Sequence, residues 1–249
     1  MDLGLADRAA IVTGGASGIG AATALALAQE GCDVALVDRR PVEEAEEVLA
    51  KVAATGRRSR YVWTDVRSAA AAESGVAEVV GAFGRLDILV YSAGINEDAV
   101  SWKMTGAQWD DVLGVNLTGC FHWNRAAAIV MRERGWGRIV NVSSINGLRG
   151  KFGQANYAAS KGGMIALSKT LARELGRFHV TVNVVAPGMV RTPMTVGLPP
   201  KAIEIARGET LTGTLAEPED CAAMIVFLCS DRARHLTGEV VRVDGGQYL

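Results

Sequence analysis

Residues 9–20 read AAIVTGGASGIG, and this stretch decides the fold. A short apolar run at 9–13 leads directly into a glycine-rich turn, which an alanine-rich segment follows. A buried strand, a tight turn and a helix, in this order, are what a dinucleotide-binding site requires. The stretch therefore predicts such a site at the beginning of the chain.

Three glycines in this stretch have separate tasks. Gly14 can take the positive φ of a tight turn, and Gly18 lets the backbone approach a pyrophosphate at the helix N-terminus. Gly20 permits close packing of the helix on the strand. The predicted phosphate end of the site consists of Gly14, Ser17, Gly18, Ile19 and Gly20.

Apolar, β-rich segments alternate with helix-length connections along the rest of the chain. The predicted strands are 9–13, 34–38, 60–65, 88–91, 138–142, 180–186 and 239–243. The predicted helices are 18–30, 41–54, 68–83, 119–134, 157–175 and 218–228. Strands that are apolar on both faces imply a parallel sheet covered on both sides. We predict an α/β fold, a Rossmann-like doubly wound parallel sheet of about seven strands with helices on both faces.

The chain has the length of one domain of this kind, and no linker composition interrupts its 249 residues. We therefore expect 1–249 to form a single domain that binds the dinucleotide and carries the catalytic residues. The one long stretch without a periodic pattern, 194–216, predicts a lid over the substrate.

Charge and composition argue against several classes of function. The net charge is -1 without a dense basic block, which excludes a nucleic-acid footprint and an anionic-membrane footprint. No apolar run approaches the ~20 residues of a membrane span, and the N-terminus lacks signal-peptide features, so we expect a cytoplasmic protein. The four cysteines and three histidines lack metal-ligand spacing. We predict buried free thiols and no metal site.

The end of the second predicted strand bears on the choice of cofactor. Asp38 lies where an acidic residue accepts hydrogen bonds from the adenosine ribose, and its carboxylate repels a 2'-phosphate. Arg39 and Arg40 follow it, and guanidinium groups bind phosphate well. Because the glycine-rich turn carries no basic residue, we expect NAD, with NADP as the alternative.

Tyr157 and Lys161 stand four residues apart, which places both side chains on one face of a helix. A phenol ordinarily titrates near pH 10, too high for proton transfer at neutrality. A nearby ammonium stabilises the phenolate, so we expect Lys161 to lower the pKa of Tyr157.

The glycine spacing TGxxxGxG at 13–20 and the Tyr157–Lys161 pair resemble the short-chain dehydrogenase/reductase family. Ser144, thirteen residues before the tyrosine, and Asn116 extend this resemblance, which covers essentially the whole chain. The resemblance implies the catalytic set Asn116, Ser144, Tyr157 and Lys161. It implies further cofactor contacts from Arg39, Asp65, Val66, Ala93, Gly94, Tyr157, Lys161, Pro187, Gly188, Val190 and Thr192.

One segment departs from the family. After the fourth predicted strand the family usually has Asn-Asn-Ala-Gly, whereas this chain has Tyr91-Ser92-Ala93-Gly94. The Ala-Gly half keeps the close backbone approach to the cofactor, but both asparagine side chains are missing.

The predicted substrate pocket has a mixed lining with little charge, which favours a neutral hydroxyl or keto compound. The predicted pocket residues are Asn96, Ser144, Asn146, Gln154 and Met189. We also expect Ile95, Ile145, Phe152 and the lid to contribute apolar surface.

The resemblance implies hydride transfer between NAD(H) and a secondary alcohol or ketone, such as a sugar, a polyol or a hydroxyacyl compound. The sequences of 153–161 and 181–188 are most similar to those of NADPH-dependent 3-oxoacyl-(acyl-carrier-protein) reductases. Such a reductase is the alternative function. A non-catalytic, dinucleotide-binding redox sensor is a third reading, and the intact catalytic set argues against it. The resemblance also implies a homotetramer formed through helices around 109–131 and 157–175.

Overall fold

The computed structural model describes residues 2–249 and contains one seven-stranded sheet. The strands are β1 (Ala9–Thr13), β2 (Asp33–Asp38), β3 (Ser59–Trp63), β4 (Ile88–Tyr91), β5 (Gly137–Val142), β6 (Val180–Pro187) and β7 (Val240–Val243). They are arranged in the order β3-β2-β1-β4-β5-β6-β7, and every neighbouring pair is parallel. The predicted doubly wound parallel sheet is confirmed.

Helices cover both faces of this sheet. They are α1 (Gly18–Gln29), α2 (Glu46–Ala54), α3 (Ala69–Phe83), α4 (Gly106–Leu113), α5 (Gly119–Arg134), α6 (Asn146–Arg149), α7 (Ala155–Leu175), α8 (Pro200–Glu209) and α9 (Pro218–Cys229). Alternate residues of β1 face opposite sides: Ile11 packs with the core under α3, α5 and α7, and Val12 packs with the core under α1, α2 and α9. This alternation explains why the strands read as continuous apolar runs.

Three segments of the chain are organised differently from the prediction. The helix predicted at 41–54 is split, since a short 3-10 turn at Val42–Glu44 precedes α2. The helix predicted to begin at 119 is preceded by α4 and by a π-helical turn at Gly114–Thr118. The segment 194–216 is not wholly irregular, because α8 lies within it, with Pro200 in its first turn.

The order of the strands determines where a ligand can bind. The connection after β1 goes to β2 on one side, whereas β4 lies on the other side of β1, so the strand order reverses at β1 and β4. In open parallel sheets, ligands bind outside the carboxyl ends of the strands at such a reversal. The loops after β1, β2, β4, β5 and β6 meet there.

No helix within residues 2–249 is long and apolar enough to cross a membrane. All four cysteines are buried and free, as predicted.

Candidate active site

A cleft of ≈ 540 Å³ lies along the carboxyl edge of the sheet. Its volume falls within the range of small-molecule and cofactor sites. The residues predicted to bind the cofactor line it except Gly20, which lies beneath the glycine-rich turn, and so do Asn96, Ser144, Asn146, Gln154 and Met189 of the predicted pocket. Asn116 lies behind its wall. The structure thus brings the predicted site residues together; their individual roles stay predictions.

The glycine-rich turn is built so tightly that side chains would not fit. Gly14 and Gly18 have φ of +66° and +55°, the left-handed region that favours glycine. A Cβ on Gly14 would lie 3.0 Å from the Ala93 backbone, and one on Gly20 would lie 2.1 Å from the Gly14 carbonyl oxygen. Ser17 precedes α1 without capping it through its side chain, so no side chain at that position blocks the positive end of the helix.

Asp38 lies at the end of β2 and is almost fully buried. Its carboxylate accepts hydrogen bonds from the Ala16 backbone N–H at 3.2 Å and from the Arg40 backbone N–H at 3.2 Å. Arg39 is exposed, lines the cleft and forms no ion pair with any described residue, whereas Arg40 lies 3.8 Å from Glu44. The carboxylate of Asp38 and the unpaired guanidinium of Arg39 thus belong to adjacent residues at the end of β2.

The substitution of Tyr91-Ser92 for the usual asparagines has a defined structural result. Tyr91 is fully buried, and its hydroxyl donates to the Val115 carbonyl oxygen at 2.5 Å. The backbone N–H groups of Ser92 and Ala93 both donate to Thr13 Oγ1, at 3.1 and 3.2 Å. The loop after β4 is therefore fixed against β1 without an asparagine.

Asn116 lies in the π-helical turn and is fully buried. Its Oδ1 accepts from the Ile95 N–H at 2.9 Å, and its Nδ2 donates to the Ile95 carbonyl at 2.9 Å and to Ser160 Oγ at 3.1 Å. A Cβ on Gly94 would lie 3.3 Å from Lys161 Nζ and 3.4 Å from Asn116 Oδ1. Asn116 and Lys161 thus meet on the inner side of the loop after β4.

Tyr157 and Lys161 project from the first turns of α7 into the cleft. Lys161 Nζ donates to the Val142 carbonyl at 2.8 Å and lies 5.7 Å from the centroid of the Tyr157 ring. Burial raises the pKa of Tyr157 to about 12, and a hydrogen bond with Ser144 opposes this rise. Burial also lowers the pKa of Lys161 to about 8. The expected lowering of the Tyr157 pKa is wrong for this structure, because burial of the phenol is the largest influence on that pKa and raises it.

The two serines that follow β5 have different partners. Ser143 Oγ donates to the Lys161 carbonyl at 2.9 Å and so ties α7 to the sheet. Ser144 Oγ accepts from the Asn146 backbone N–H at 3.1 Å and also bonds Tyr157. The structure therefore favours Ser144, as the sequence did, for contact with a reacting oxygen.

Beyond β6, the loop of Pro187, Gly188, Met189, Val190 and Thr192 forms the facing wall of the cleft. Gly188 has no room for a side chain, since a Cβ there would lie 2.5 Å from Gln247 Oε1. The same Gln247 oxygen accepts from the Met189 N–H at 3.0 Å. The C-terminal segment therefore helps to shape this wall.

The substrate end of the cleft is more highly charged than expected. Gln154 Nε2 donates to both oxygens of Asp98, at 3.0 and 3.1 Å, and its Oε1 accepts from Asn146 Nδ2 at 3.0 Å. Asp98, Arg149 and Lys151 all line the cleft. Phe152 does not line it, and 83% of this residue is exposed. The prediction of a lining with little charge that includes Phe152 is wrong.

The segment 194–216, predicted to be a lid, is attached to this charged wall. Glu209, the last residue of α8, accepts from Arg149 Nη2 at 3.0 Å and from Gln247 Nε2 at 2.9 Å. These hydrogen bonds, that of Gln247 first, lower the pKa of Glu209. Met194, Thr195 and Leu198 of the lid line the cleft.

Sequence reasoning missed several residues of the cleft. They include Thr64, Ser92, Val115, Asp98, Arg149, Lys151 and Gln247. Asp98 carried a local signal, since it lies two residues after Asn96 in the same loop. Gln247 carried none, because its contacts with Met189 and Glu209 arise only from the folded chain.

Comparison with known proteins agrees with this geometry. The family profile described as enoyl-(acyl carrier protein) reductase matches residues 14–247. The acetoacetyl-CoA reductase of Rhizobium meliloti (strain 1021) is 43% identical over 98% of this chain and 99% of its own length. The 3-oxoacyl-(acyl-carrier-protein) reductase of Thermotoga maritima is 41% identical over 98% of this chain and 99% of its own length. The crystal structure of levodione reductase matches with a TM-score of 0.91 and 35% identity, covering 97% of this chain and 98% of that one.

The chain belongs to the short-chain dehydrogenase/reductase family. It is an NAD(P)-binding oxidoreductase that acts on ketone and alcohol groups.

Proposed function

We propose that the chain reduces the 3-keto group of short 3-oxoacyl thioesters, and reversibly oxidises the 3-hydroxyacyl products, with NAD(H) as preferred cofactor. The observation that carries this proposal is the convergence of Ser144, Tyr157 and Lys161 in one cleft whose other end holds Asp38. The names of the relatives at 43% and 41% identity support the thioester as substrate.

The residues of the cleft fit a dinucleotide. Gly14 and Gly18 line the cleft in left-handed backbone conformations, and the N-terminus of α1 lacks a side-chain cap. A pyrophosphate lying there would receive backbone N–H groups and the positive end of the helix dipole. The nicotinamide group supplies the hydride when bound. Lys161 and the loop at Gly188 would hold its ribose and its carboxamide.

Tyr157 is the proton carrier in this proposal. During reduction the substrate carbon receives the hydride, and the Tyr157 hydroxyl gives its proton to the carbonyl oxygen, which becomes the alcohol. Ser144 donates a hydrogen bond to that oxygen and stabilises the charge that develops on it. Because the pKa of Tyr157 is raised to about 12, the phenol holds its proton at neutral pH, which suits the direction of reduction.

Charges at the outer cleft support a substrate with an anionic carrier. Lys151 is exposed and lines the cleft without an ion-pair partner among the described residues. Arg149 lies beside it, with its guanidinium directed toward Glu209. A carrier bearing phosphates would find cationic side chains there, whereas a sugar or polyol would not use them.

The expected test measures initial rates with acetoacetyl-CoA and with a panel of sugars, polyols and simple ketones, each with NADH and NADPH or the oxidised forms. We expect the highest kcat/KM for acetoacetyl-CoA with NADH. A higher kcat/KM for a polyol would overturn the assignment of substrate.

Arg39 favours a second candidate, an NADPH-dependent 3-oxoacyl reductase. Its guanidinium lines the cleft unpaired and could bind a 2'-phosphate. Asp38 opposes this by like-charge repulsion, and its buried carboxylate is held by two backbone N–H groups, whereas Arg39 is exposed.

A pair of variants decides between the cofactors. Asp38→Asn removes the repulsion, so the ratio of kcat/KM for NADH to that for NADPH should fall about tenfold or more, equivalent to about 1.4 kcal/mol. Arg39→Ala is the matched control and should move the same ratio in the opposite direction. An unchanged ratio in Asp38→Asn would show that this carboxylate does not select the cofactor.

A further inference from the structure

We propose that Tyr91 is a positioning residue for the reaction, holding the π-helical turn that presents Asn116 to the inner side of the active site. This inference rests on the proposed function for its kinetic consequence, but its structural consequence can be measured without turnover.

The hydrogen bond between the Tyr91 hydroxyl and the Val115 carbonyl is short and buried. Tyr91 is the last residue of β4, is fully buried, and donates its hydroxyl to the Val115 carbonyl at 2.5 Å. Burial raises the pKa of this phenol, so it remains a donor at every physiological pH. On the other side, a Cβ on Gly119 would lie 2.5 Å from the Tyr91 hydroxyl oxygen. The phenol therefore fills the space between the sheet and the π-helical turn.

The turn itself needs such support. A π-helical turn is rare, occurs mostly as a single turn inserted in an α-helix, and is frequent at functional sites. Here it spans Gly114–Thr118, between α4 and α5. The Tyr91 hydroxyl bonds the carbonyl of the second residue of the turn, immediately before Asn116.

Asn116 transmits this position to the active site. Its side chain bonds both the N–H and the carbonyl of Ile95 and also Ser160 Oγ. Ser160 in turn donates to the Tyr157 carbonyl at 2.8 Å. A contiguous series of contacts thus leads from Tyr91 through Val115 and Asn116 to the loop after β4 and to the helix that carries Tyr157.

The substitution Tyr91→Phe removes only the hydroxyl. We expect kcat for acetoacetyl-CoA reduction to fall about tenfold, while the Kd for NADH stays within about twofold. The matched control is Tyr61→Phe, since the Tyr61 hydroxyl also donates to a backbone carbonyl, that of Arg40, at 2.6 Å. This control should leave kcat unchanged. Equal kcat in wild type and Tyr91→Phe would overturn the proposal.

A double-mutant cycle tests whether Tyr91 acts through Asn116. In an Asn116→Ala background, Tyr91→Phe should lower kcat no further, because the position that it maintains no longer matters. A full additional tenfold loss would contradict the proposed route.

Amide hydrogen exchange at Ile95 provides a readout that requires neither turnover nor the Asn116 variant. The Ile95 N–H donates to Asn116 Oδ1, so its exchange should accelerate in Tyr91→Phe and stay unchanged in Tyr61→Phe. Unchanged exchange in Tyr91→Phe overturns the inference. If the wild type reduced no ketone, the proposed function would fail, and exchange at Ile95 would still decide this inference.

Discussion

Lys161 carries its amine into the buried part of the active site. It is 3% exposed, and burial lowers its pKa from 10.5 to about 8. The folded chain therefore loses this proton at a lower pH than the unfolded chain does. Between about pH 8 and 10.5 the unfolded state binds more protons, so stability rises with pH through this window. Below pH 8 both states are protonated, and the burial of the charge costs up to about 3 kcal/mol.

This linkage predicts the behaviour of Lys161→Met. The free energy of unfolding of the variant, relative to wild type, should be most favourable at pH 7 and should decline as the pH rises to 10. Urea unfolding at several pH values measures the difference. Lys169→Met, at an exposed position of the same helix, is the control. A difference that does not vary with pH would show that Lys161 is not destabilised by burial.

At the scale of the element, the β1 turn and α1 depend on the absence of a side chain at Gly20. A Cβ there would lie 2.1 Å from the Gly14 carbonyl oxygen, a contact that requires the backbone to move.

We expect Gly20→Ala to lower the free energy of unfolding by about 2–3 kcal/mol, as overpacking does. It should also weaken NADH binding. Gly81→Ala is the matched control, because Gly81 is exposed near the end of α3 with nothing within 4 Å of the added Cβ. That control should be stabilising by about 0.5–1 kcal/mol. Chemical denaturation measures both, and a Gly20→Ala variant as stable as wild type would contradict the packing described for the turn.

Elements differ in how well the sequence predicts them, for physical reasons. The strands were predictable because central parallel strands are apolar on both faces. The π-helical turn was not, since it depends on the contact of Tyr91 with Val115 across the fold. The helix α8 was also missed, although Pro200 in its first turn was a usable signal.

The residues of the site also differ in how well the sequence predicts them. Tyr157, Lys161 and the glycine-rich turn were predictable because each depends on spacing within one segment. The wall formed by Asp98, Arg149 and Gln247 combines three distant segments, and no local pattern joins them. The pKa of Tyr157 was predicted to be lowered, but burial raises it, and this burial is visible only in the folded chain.

At the scale of the whole molecule, assembly stays a prediction. Apolar side chains are exposed along α4 and α5, including Trp109 (38%), Phe121 (44%) and Ile129 (42%). Association of four chains through these helices would cover them. We expect light scattering to give four times the mass of one chain, and a monomer would contradict the homotetramer.

The substitution Tyr157→Phe tests whether Tyr157 carries the proton. Reduction of acetoacetyl-CoA by NADH should be followed for wild type and variant, with NADH binding measured by fluorescence in parallel. We expect a loss of kcat of at least about 10²-fold with NADH binding retained, because the variant keeps the ring and loses the hydroxyl that supplies the proton. Turnover at the wild-type rate in Tyr157→Phe would show that another group carries the proton.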